Sequence, residues 1–452
     1  MKKLFTYLLV LLIPVVHIFA VENVLFVAQD GTGDGSSWVN AASLTTAADV
    51  ARVQEVKPEI WVKEGTYVFT DSINFDYLLI YGGFNGDEAA LNERNWATNL
   101  TIFDGNNVHS LLRNSIGSGR VGGNATSILS ILDGVIVQNG LSPTNSNGGA
   151  MIINNGAVVR NCIFRNNATQ SAKHGGAIHC NNGTNLVIEN CLFTNNTSVA
   201  NGGAVQIGGG TTITVRSCTF ANNSAVKGGA ICAALDASSN MNMYNSIAYN
   251  NLHGTDYQSY SGNGGLNKGG TIISKHSAVE GTSTKFTNGD DVNHLVLSRT
   301  VVPGFVAPAT VIGKGANETE ITEINNASYR ILKTSPCVNA GLNSEVSTIL
   351  YDLDYATRIF ADVVDMGVYE CVYEPNALFA HQSDKNFKAI VVDNELRVSG
   401  ALKGEKVQLF DVQGKVLNSI VMTDNNEIAS FRLSNKGIYL VSAQNKVIKV
   451  NY

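Results

Sequence analysis

Between residues 131 and 251, apolar and polar positions alternate in short runs, each closed by Gly, Asn or a charged residue. Leu186-Val-Ile188 leads to the polar corner Glu189-Asn190, then to Cys191-Leu-Phe-Thr194, an Asn pair, and a third apolar run after Gly202-Gly-Ala204. Alternation of this kind predicts strands, because successive side chains on an extended backbone point to opposite faces. The runs also recur. Asn147-Gly-Gly-Ala150, His174-Gly-Gly-Ala177, Asn201-Gly-Gly-Ala204 and Lys227-Gly-Gly-Ala230 mark one position of the unit. Phe164-Arg-Asn-Asn167, Phe193-Thr-Asn-Asn196 and Phe220-Ala-Asn-Asn223 run in phase with them, and Ala248-Tyr-Asn-Asn251 is a weaker fourth copy. A unit of roughly 27 residues with three strands and three corners cannot bury its apolar face alone. Stacked copies can, by pairing each strand in parallel with its equivalents above and below, ~4.8 Å per coil.

The pattern therefore predicts an all-β chain whose main part is a parallel β-helix, right-handed by the usual chirality of parallel connections. Equivalent side chains should form columns. Phe164, Phe193 and Phe220 are expected to stack inside, and Asn167, Asn196, Asn223 and Asn251 to pass amide hydrogen bonds from coil to coil. Cys162, Cys191 and Cys218, two residues before each Phe, take an inward position as free thiols. Arg160, Glu189 and Arg216 alternate in sign along an outward column. Residues 252–330 keep only loose periodicity and are expected to form degenerate coils with longer loops.

Composition supports this picture and narrows the function. Of 452 residues, 44 are Gly and 51 are Asn, while charged residues make up 15%; a charged disordered chain and a coiled coil both need more charge. The net charge of −6 argues against nucleic acid as a partner. Residues 1–20 combine Lys2 and Lys3, an apolar run and a small residue, Ala20, which is the pattern of a secretory signal peptide. The rest of the sequence has no apolar stretch of spanning length, so the mature chain is expected to be exported, with no transmembrane helix.

The paired Gly and Phe-x-x-Asn motifs resemble the repeats of the chlamydial polymorphic outer-membrane proteins, and the resemblance implies a surface scaffold with a role in adhesion. Phe26-Val-Ala-Gln-Asp-Gly-Thr-Gly-Asp-Gly-Ser-Ser-Trp38 and Ile60-Trp-Val-Lys-Glu-Gly-Thr-Tyr67 look like the opening of exported, pectate-lyase-like β-helix proteins. Ser335-Pro-Cys-Val-Asn-Ala-Gly341, Asp352-Leu-Asp354, Arg358 and Asp365-Met-Gly-Val-Tyr-Glu370 look like the last coil of that group. After Pro375 the Gly and Asn content falls. The segment from Gly437 to Tyr452 is similar to the C-terminal sorting domains of the bacterial type IX secretion system, which implies a small C-terminal β-sandwich and the type IX export machinery as a partner. The expected organisation is a signal peptide at 1–20, a β-helix with capping regions at 21–375 and a sorting domain at 376–452, in a protein of the bacterial cell surface or extracellular medium.

Candidate chemistry is sparse. Aligning Thr101-Ile-Phe-Asp-Gly105 with Ser130-Ile-Leu-Asp-Gly134 puts Asp104 and Asp133 at one coil position, ~5 Å apart, a spacing that suits a retaining pair of carboxylates. Asp-Gly is equally a turn dipeptide. Asp352, Asp354, Asp362 and Asp365 form a candidate calcium cluster, and a cap role competes with it. Asp290-Asp291 offers two adjacent oxygen ligands where calcium needs six or more. His174, His179 and Lys173 lie near one corner as a candidate acid and base, but only one coil carries them and no partner carboxylate is in phase, so they are expected to be surface residues. Gly31-Thr-Gly-Asp-Gly35 opens no helix and has no following Lys-Ser or Lys-Thr, unlike a phosphate cradle. Cys337 and Cys371 bracket the expected last coil and are the candidate disulfide. Three functions fit: binding of a polysaccharide or surface glycan in an adhesive role, cleavage of acidic polysaccharides by a lyase or hydrolase, and a passive structural surface component.

Overall fold

The structure, a computed structural model, describes residues 23–371 except 114–129, 155, 182–183, 234–239, 255, 258–259, 263–270, 281–294 and 361, and from 388 to 451 the strands of a second unit with parts of their connections. The chain divides into two compact units, Met1–Cys371 and Val372–Tyr452. The expected signal peptide, the expected boundary at 375/376 and Asp290-Asp291 lie outside the described residues.

The first unit is a right-handed parallel β-helix of three sheets with nine, nine and seven strands. The first sheet runs from Val24–Val27 through Ala157–Arg160, Asn185–Glu189 and Thr212–Arg216 to Thr271–Lys275. The second runs from Gly65–Val68 through Ile163–Arg165, Leu192–Thr194 and Thr219–Ala221 to Leu295–Leu297. The third contains Met151–Ile153, Ile178–Cys180, Val205–Ile207 and Ile231–Ala233. Register is fixed by the repeat: Phe164 pairs with Phe193 and Phe193 with Phe220. Their rings stack at 4.8 and 4.9 Å with planes 4° and 7° apart. Beside them the amide ladder forms as the pattern predicts. Asn167 Nδ2 donates to Asn196 Oδ1 at 2.9 Å, Asn196 to Asn223 at 2.9 Å and Asn223 to Asn251 at 2.8 Å. Each amide also donates to the carbonyl of a residue one coil back, such as Phe164 O and Phe193 O. All four asparagines are fully buried, so each polar atom needs these partners.

The corners explain the rest of the asparagine content. Asn161, Asn190 and Asn245, between the first and second sheets, and Asn139, Asn166, Asn195, Asn222 and Asn250, after the second, all have φ between 49° and 58° or 59°. Asn is the non-glycine residue best suited to that left-handed conformation. In the Gly-Gly pair, the first residue (Gly148, Gly175, Gly202, Gly228) has φ of 64° to 75°. The second is excluded from carrying a side chain by contact: a Cβ on Gly176 would lie 2.0 Å from Gly203 O, and one on Gly203 1.9 Å from Gly229 O.

Two features depart from the sequence pattern. A helix, Leu44–Val53, N-capped by Ser43, buries Leu44, Ala47, Ala48 and Ala51 in the same core as Val27 and Ile60, and so covers the N-terminal end of the β-helix. The C-terminal part of the unit does not form a last coil. After Leu297 no described residue joins the three sheets. The segment 299–371 instead lies along the outside of the second sheet, where Tyr329, Leu353, Val368 and Tyr369 pack on Leu192 and Ala221. The corner asparagines hold this strap by its backbone. Asn195 Nδ2 donates to Val311 O at 2.6 Å, Asn222 Nδ2 to Ala309 O at 2.6 Å, Asn190 Nδ2 to Tyr351 O at 3.1 Å and Asn245 Nδ2 to Leu342 O at 3.0 Å.

The second unit is a small β-sandwich. One antiparallel sheet holds Lys388–Val392, Glu395–Ser399 and Ala429–Arg432, and the other Val416–Val421, Lys406–Phe410, Ile438–Ala443 and Lys446–Asn451. Leu396, Val398 and Phe431 from the first meet Val407, Leu409 and Val441 from the second in one core.

Candidate functional site

Asp133 ends a strand of the first sheet, where its neighbour is Arg160. Asp104 ends a strand of the second, where its neighbour is Gln138. The two carboxylates therefore do not share a column. The sequence alignment fails because residues 85–100 insert a short 3₁₀ turn and a loop between the sheets, so a likeness between two strand-to-turn endings carries no register. Asp133 is sealed, with its side chain 1% exposed. Its Oδ2 meets Arg94 Nη2 at 2.8 Å and Arg160 Nε at 2.6 Å, and its Oδ1 accepts from Asn161 Nδ2 at 2.7 Å. Arg94 in turn lies 5.2 Å from the ring centres of Tyr81 and Trp96. A carboxylate shared by two guanidinium groups in a dry setting holds structure together. Asp104 accepts from Gln138 Nε2 at 2.7 Å, Asn139 Nδ2 at 2.9 Å and Asn106 N at 2.7 Å. Gln138 Oε1 also receives Arg165 Nε at 2.9 Å, and burial pushes the Arg165 guanidinium down to about 10.

The outward column of the first sheet continues from Asp133 as Arg160, Glu189, Arg216, Tyr244 and Lys275. Arg216 bridges Glu189 at 3.0 Å and Glu345 at 3.1 Å. Beside it, Ile131, Val158, Val187, Thr214 and Asn242 form a second outward column that is neither fully buried nor fully exposed.

The four aspartates proposed for calcium do not converge. Asp352 Oδ1 accepts from Asp354 N and Ala356 N, and its Oδ2 from Glu370 N. Asp354 forks onto Arg330. Asp362 is exposed, and its carbonyl accepts from Asn343. Asp365 accepts from Asn339 N at 2.6 Å and Cys371 N at 2.5 Å. Among the described residues no group of three or more His, Cys, Asp or Glu side chains could hold a metal ion. Asp352 and Asp365 cap turns of the strap, with Arg358 buried against Glu370 at 3.5 Å. Burial raises the Asp352 carboxyl to about 6, helped by Asp354, and the Glu370 carboxyl to about 8 in spite of Arg358. Cys337 and Cys371 share a cluster with Met366 and Ile331, yet no disulfide joins them, so the expected pairing is not formed. The inward Cys162, Cys191 and Cys218 are free thiols and donate to the carbonyls of Arg160, Glu189 and Arg216.

The outward column of the third sheet reads Ile152, His179, Gln206, Cys232, and all four are buried. The chain leading to each Gly-Gly pair runs over them. His174 lies 6.3 Å from His179 between ring centres, and Asn147 Nδ2 lies 3.2 Å from His179 Nε2. Burial pushes the His179 imidazole down to about 4, and burial with the nearby Lys173 lowers that of His174. Both rings are therefore neutral near pH 7, and a base as weak as His179 is poorly matched to proton abstraction there. At the other end of the unit, Gly31–Gly35 folds back on Asn40 to Ala42. With Gln29, Asp30, Trp38, Lys63 and Glu64 it borders a shallow cavity of about 450 Å³. The sequence pattern gave no signal for this cavity, because its walls come from loops outside the repeat.

Among the described residues no helix is long and apolar enough to cross a membrane. No curated protein matches the chain. A solved structure, the crystal structure of pectate lyase Pel9A, is similar at 12% identity and a TM-score of 0.26, over 77% of this chain and 96% of that one. The Chlamydia polymorphic membrane protein repeat matches residues 161–181, 190–208 and 217–234, three stretches that each run from a corner, through the second sheet and the Gly-Gly pair, into or just past a strand of the third.

Proposed function

We propose that the protein works at the bacterial surface or outside the cell as a binding protein, holding a polysaccharide or surface glycan along the flank of its β-helix. The observation that carries this reading is the commitment of the candidate acids. Asp133 is closed off by Arg94 and Arg160, and Asp104 is held by two side-chain amides and a backbone N–H. The strip Val158, Val187, Thr214 and Asn242 presents methyl, hydroxyl and amide groups at regular spacing, which matches the C–H faces and hydroxyls of sugars better than it matches acid–base chemistry. The repeat shared with membrane proteins of Chlamydia and the signal-like residues 1–20 support an exported location. The C-terminal β-sandwich is the sorting domain for type IX export.

The test is retention of the mature chain on a panel of uronic-acid and neutral polysaccharides, with and without calcium. Binding without new chain ends is the expected result. Calcium-dependent cleavage lost in Asp104→Asn would replace this reading with the lyase or hydrolase, and neither retention nor cleavage on any glycan would favour a passive surface component. Removal of residues 376–452 should trap the protein inside the producing cell. Undiminished release would remove the sorting role.

A further inference from the structure

The seam over the third sheet contains three side-chain polar atoms that its hydrogen bonding does not use. His174 Nδ1, His179 Nδ1 and Gln206 Oε1 are buried and have no hydrogen-bond partner. His179 and Gln206 are register neighbours on adjacent strands, about 4.8 Å apart along the stack, and the His174 ring lies 6.3 Å from that of His179 with planes 28° apart. Buried polar groups without partners are rare, and three on one face call for a common explanation.

The tautomer of His179 decides what kind of partner is missing. Its Nε2 lies 2.8 Å from Asn181 Oδ1 and 3.2 Å from Asn147 Nδ2. Asn181 is oriented by donating its own Nδ2 to Asn154 Oδ1, and Asn147 by accepting from His174 N at 3.1 Å. Nε2 can donate to Asn181 or accept from Asn147, and the tautomer that donates to Asn181 leaves Nδ1 with the lone pair that a metal ion would select. Gln206 is fixed in the same sense, because its Nε2 donates to Ile207 O at 2.9 Å. An imidazole whose far N–H is held by an oxygen acceptor is the usual state of a metal-bound histidine.

We propose that His174 and His179 bind a divalent first-row transition-metal ion, zinc or copper, through their Nδ1 atoms, with Gln206 Oε1 as the adjoining oxygen ligand. With a metal–nitrogen bond of about 2.0 Å, two imidazoles on one ion have ring centres roughly 4.5 to 6.3 Å apart. The observed 6.3 Å matches nearly opposite ligands, as square-planar copper(II) allows, and tetrahedral zinc needs the rings to close by about 1 Å. Imidazole with amide oxygen suits zinc or copper rather than calcium. His174 is only half-buried although its Nδ1 is enclosed, so an ion and the water that would complete its coordination enter from that side. Lys173 carries a positive charge next to His174 and opposes the ion, as its effect on that imidazole shows. Two protein nitrogens and that charge together imply micromolar rather than picomolar binding. The site would tie one coil to the next through a metal, a role separate from glycan retention on the first sheet.

Calorimetric titration of the mature, untagged chain with zinc or copper(II) chloride tests this. One equivalent should bind, and affinity should fall at least tenfold in both His174→Ala and His179→Gln, with His109→Ala unchanged. His174→Ala is the safer of the two for folding, and circular dichroism and thermal melting should show the same fold in every variant. Copper electron paramagnetic resonance should report two imidazole nitrogens. Absence of binding by the parent chain, binding unaffected by His174→Ala in a folded variant, or a copper signal without imidazole nitrogen would overturn the assignment.

Discussion

The coils between residues 157 and 251 and the strap at 299–371 use the same residue, asparagine, in opposite ways. Inside the coils, Asn167, Asn196, Asn223 and Asn251 bond to one another and to the carbonyls of the coil before, so each copy stabilises its neighbour. On the outside, Asn190, Asn195, Asn222 and Asn245 reach to unrelated carbonyls of a segment with no repeat, although Asn190 and Asn222 keep an amide partner one coil away in Asn161 and Asn250. Periodic bonds are made between equal partners, and the loss of one rung is felt in two others. The strap's bonds do not repeat from coil to coil, and where two asparagines share an acceptor, as Asn195 and Asn222 share Val311 O, losing one should loosen only that stretch of the strap.

Substitutions at graded depth can break this contrast. Phe193→Ala should have the largest effect, removing the middle ring of a three-ring stack and costing about 3–5 kcal/mol in urea unfolding of the β-helix. Asn196→Ala follows at about 1–3 kcal/mol, because it removes the amide donor to Phe164 O, leaves Asn223 Oδ1 only the backbone N–H of residue 196, and leaves Asn167 N without its acceptor. An Asn196→Ala protein as stable as the parent would show that the ladder follows the fold and does not support it.

Asn195→Gly keeps the left-handed backbone and deletes only the side chain, so it should destabilise the strap by about 1–2 kcal/mol while the β-helix melt stays near that of the parent. Limited proteolysis within 299–371 checks this. Loss of the whole unit in parallel would mean that strap and coils unfold together. The strap should also lose stability as pH rises, the opposite of what the buried His179 imidazole, held down to about 4, does in the coils. The folded carboxyls of Asp352 and Glu370 titrate near 6 and 8, above their ordinary 3.8 and 4.5. The folded state therefore holds protons that the unfolded state has released, and stability falls as pH rises from about 4 to 8. Hydrogen exchange in 350–371 should accelerate across that window, and Glu370→Gln should flatten its upper half. The smallest effect belongs to Glu189→Gln, whose ion pair with Arg216 is partly open to solvent; it should cost less than about 1 kcal/mol and less still in high salt.

Legibility in the sequence follows the same division. The phenylalanine stack, the amide ladder, the thiol positions and the alternating charges of Arg160, Glu189 and Arg216 were readable because a repeat turns position in the chain into position in space. Asp104 and Asp133 were misplaced because the coils before residue 130 carry loops of unequal length, so a shared Asp-Gly gave no register. Arg94, the partner of Asp133, comes 39 residues before it from such a loop. The segment around Ser335 to Glu370 looked like a terminal coil because its turns and aspartates are those of a cap, and a local motif does not state which surface it caps. The corner asparagines were counted as turn formers, and their second role depends on a segment about a hundred residues away.

The second glycine of each pair has a consequence for how such a chain changes over generations. With one backbone oxygen 2.0 Å from where a methyl group on Gly176 would sit, no point substitution there is tolerated without shifting the next layer. Gain or loss of a complete unit leaves the stacking of the layers intact, because each offers the same face above as below, and it is felt where the strap is tied to particular coils. The molecule is a ruler whose graduations cannot be moved singly, and its length is free to drift only in whole steps.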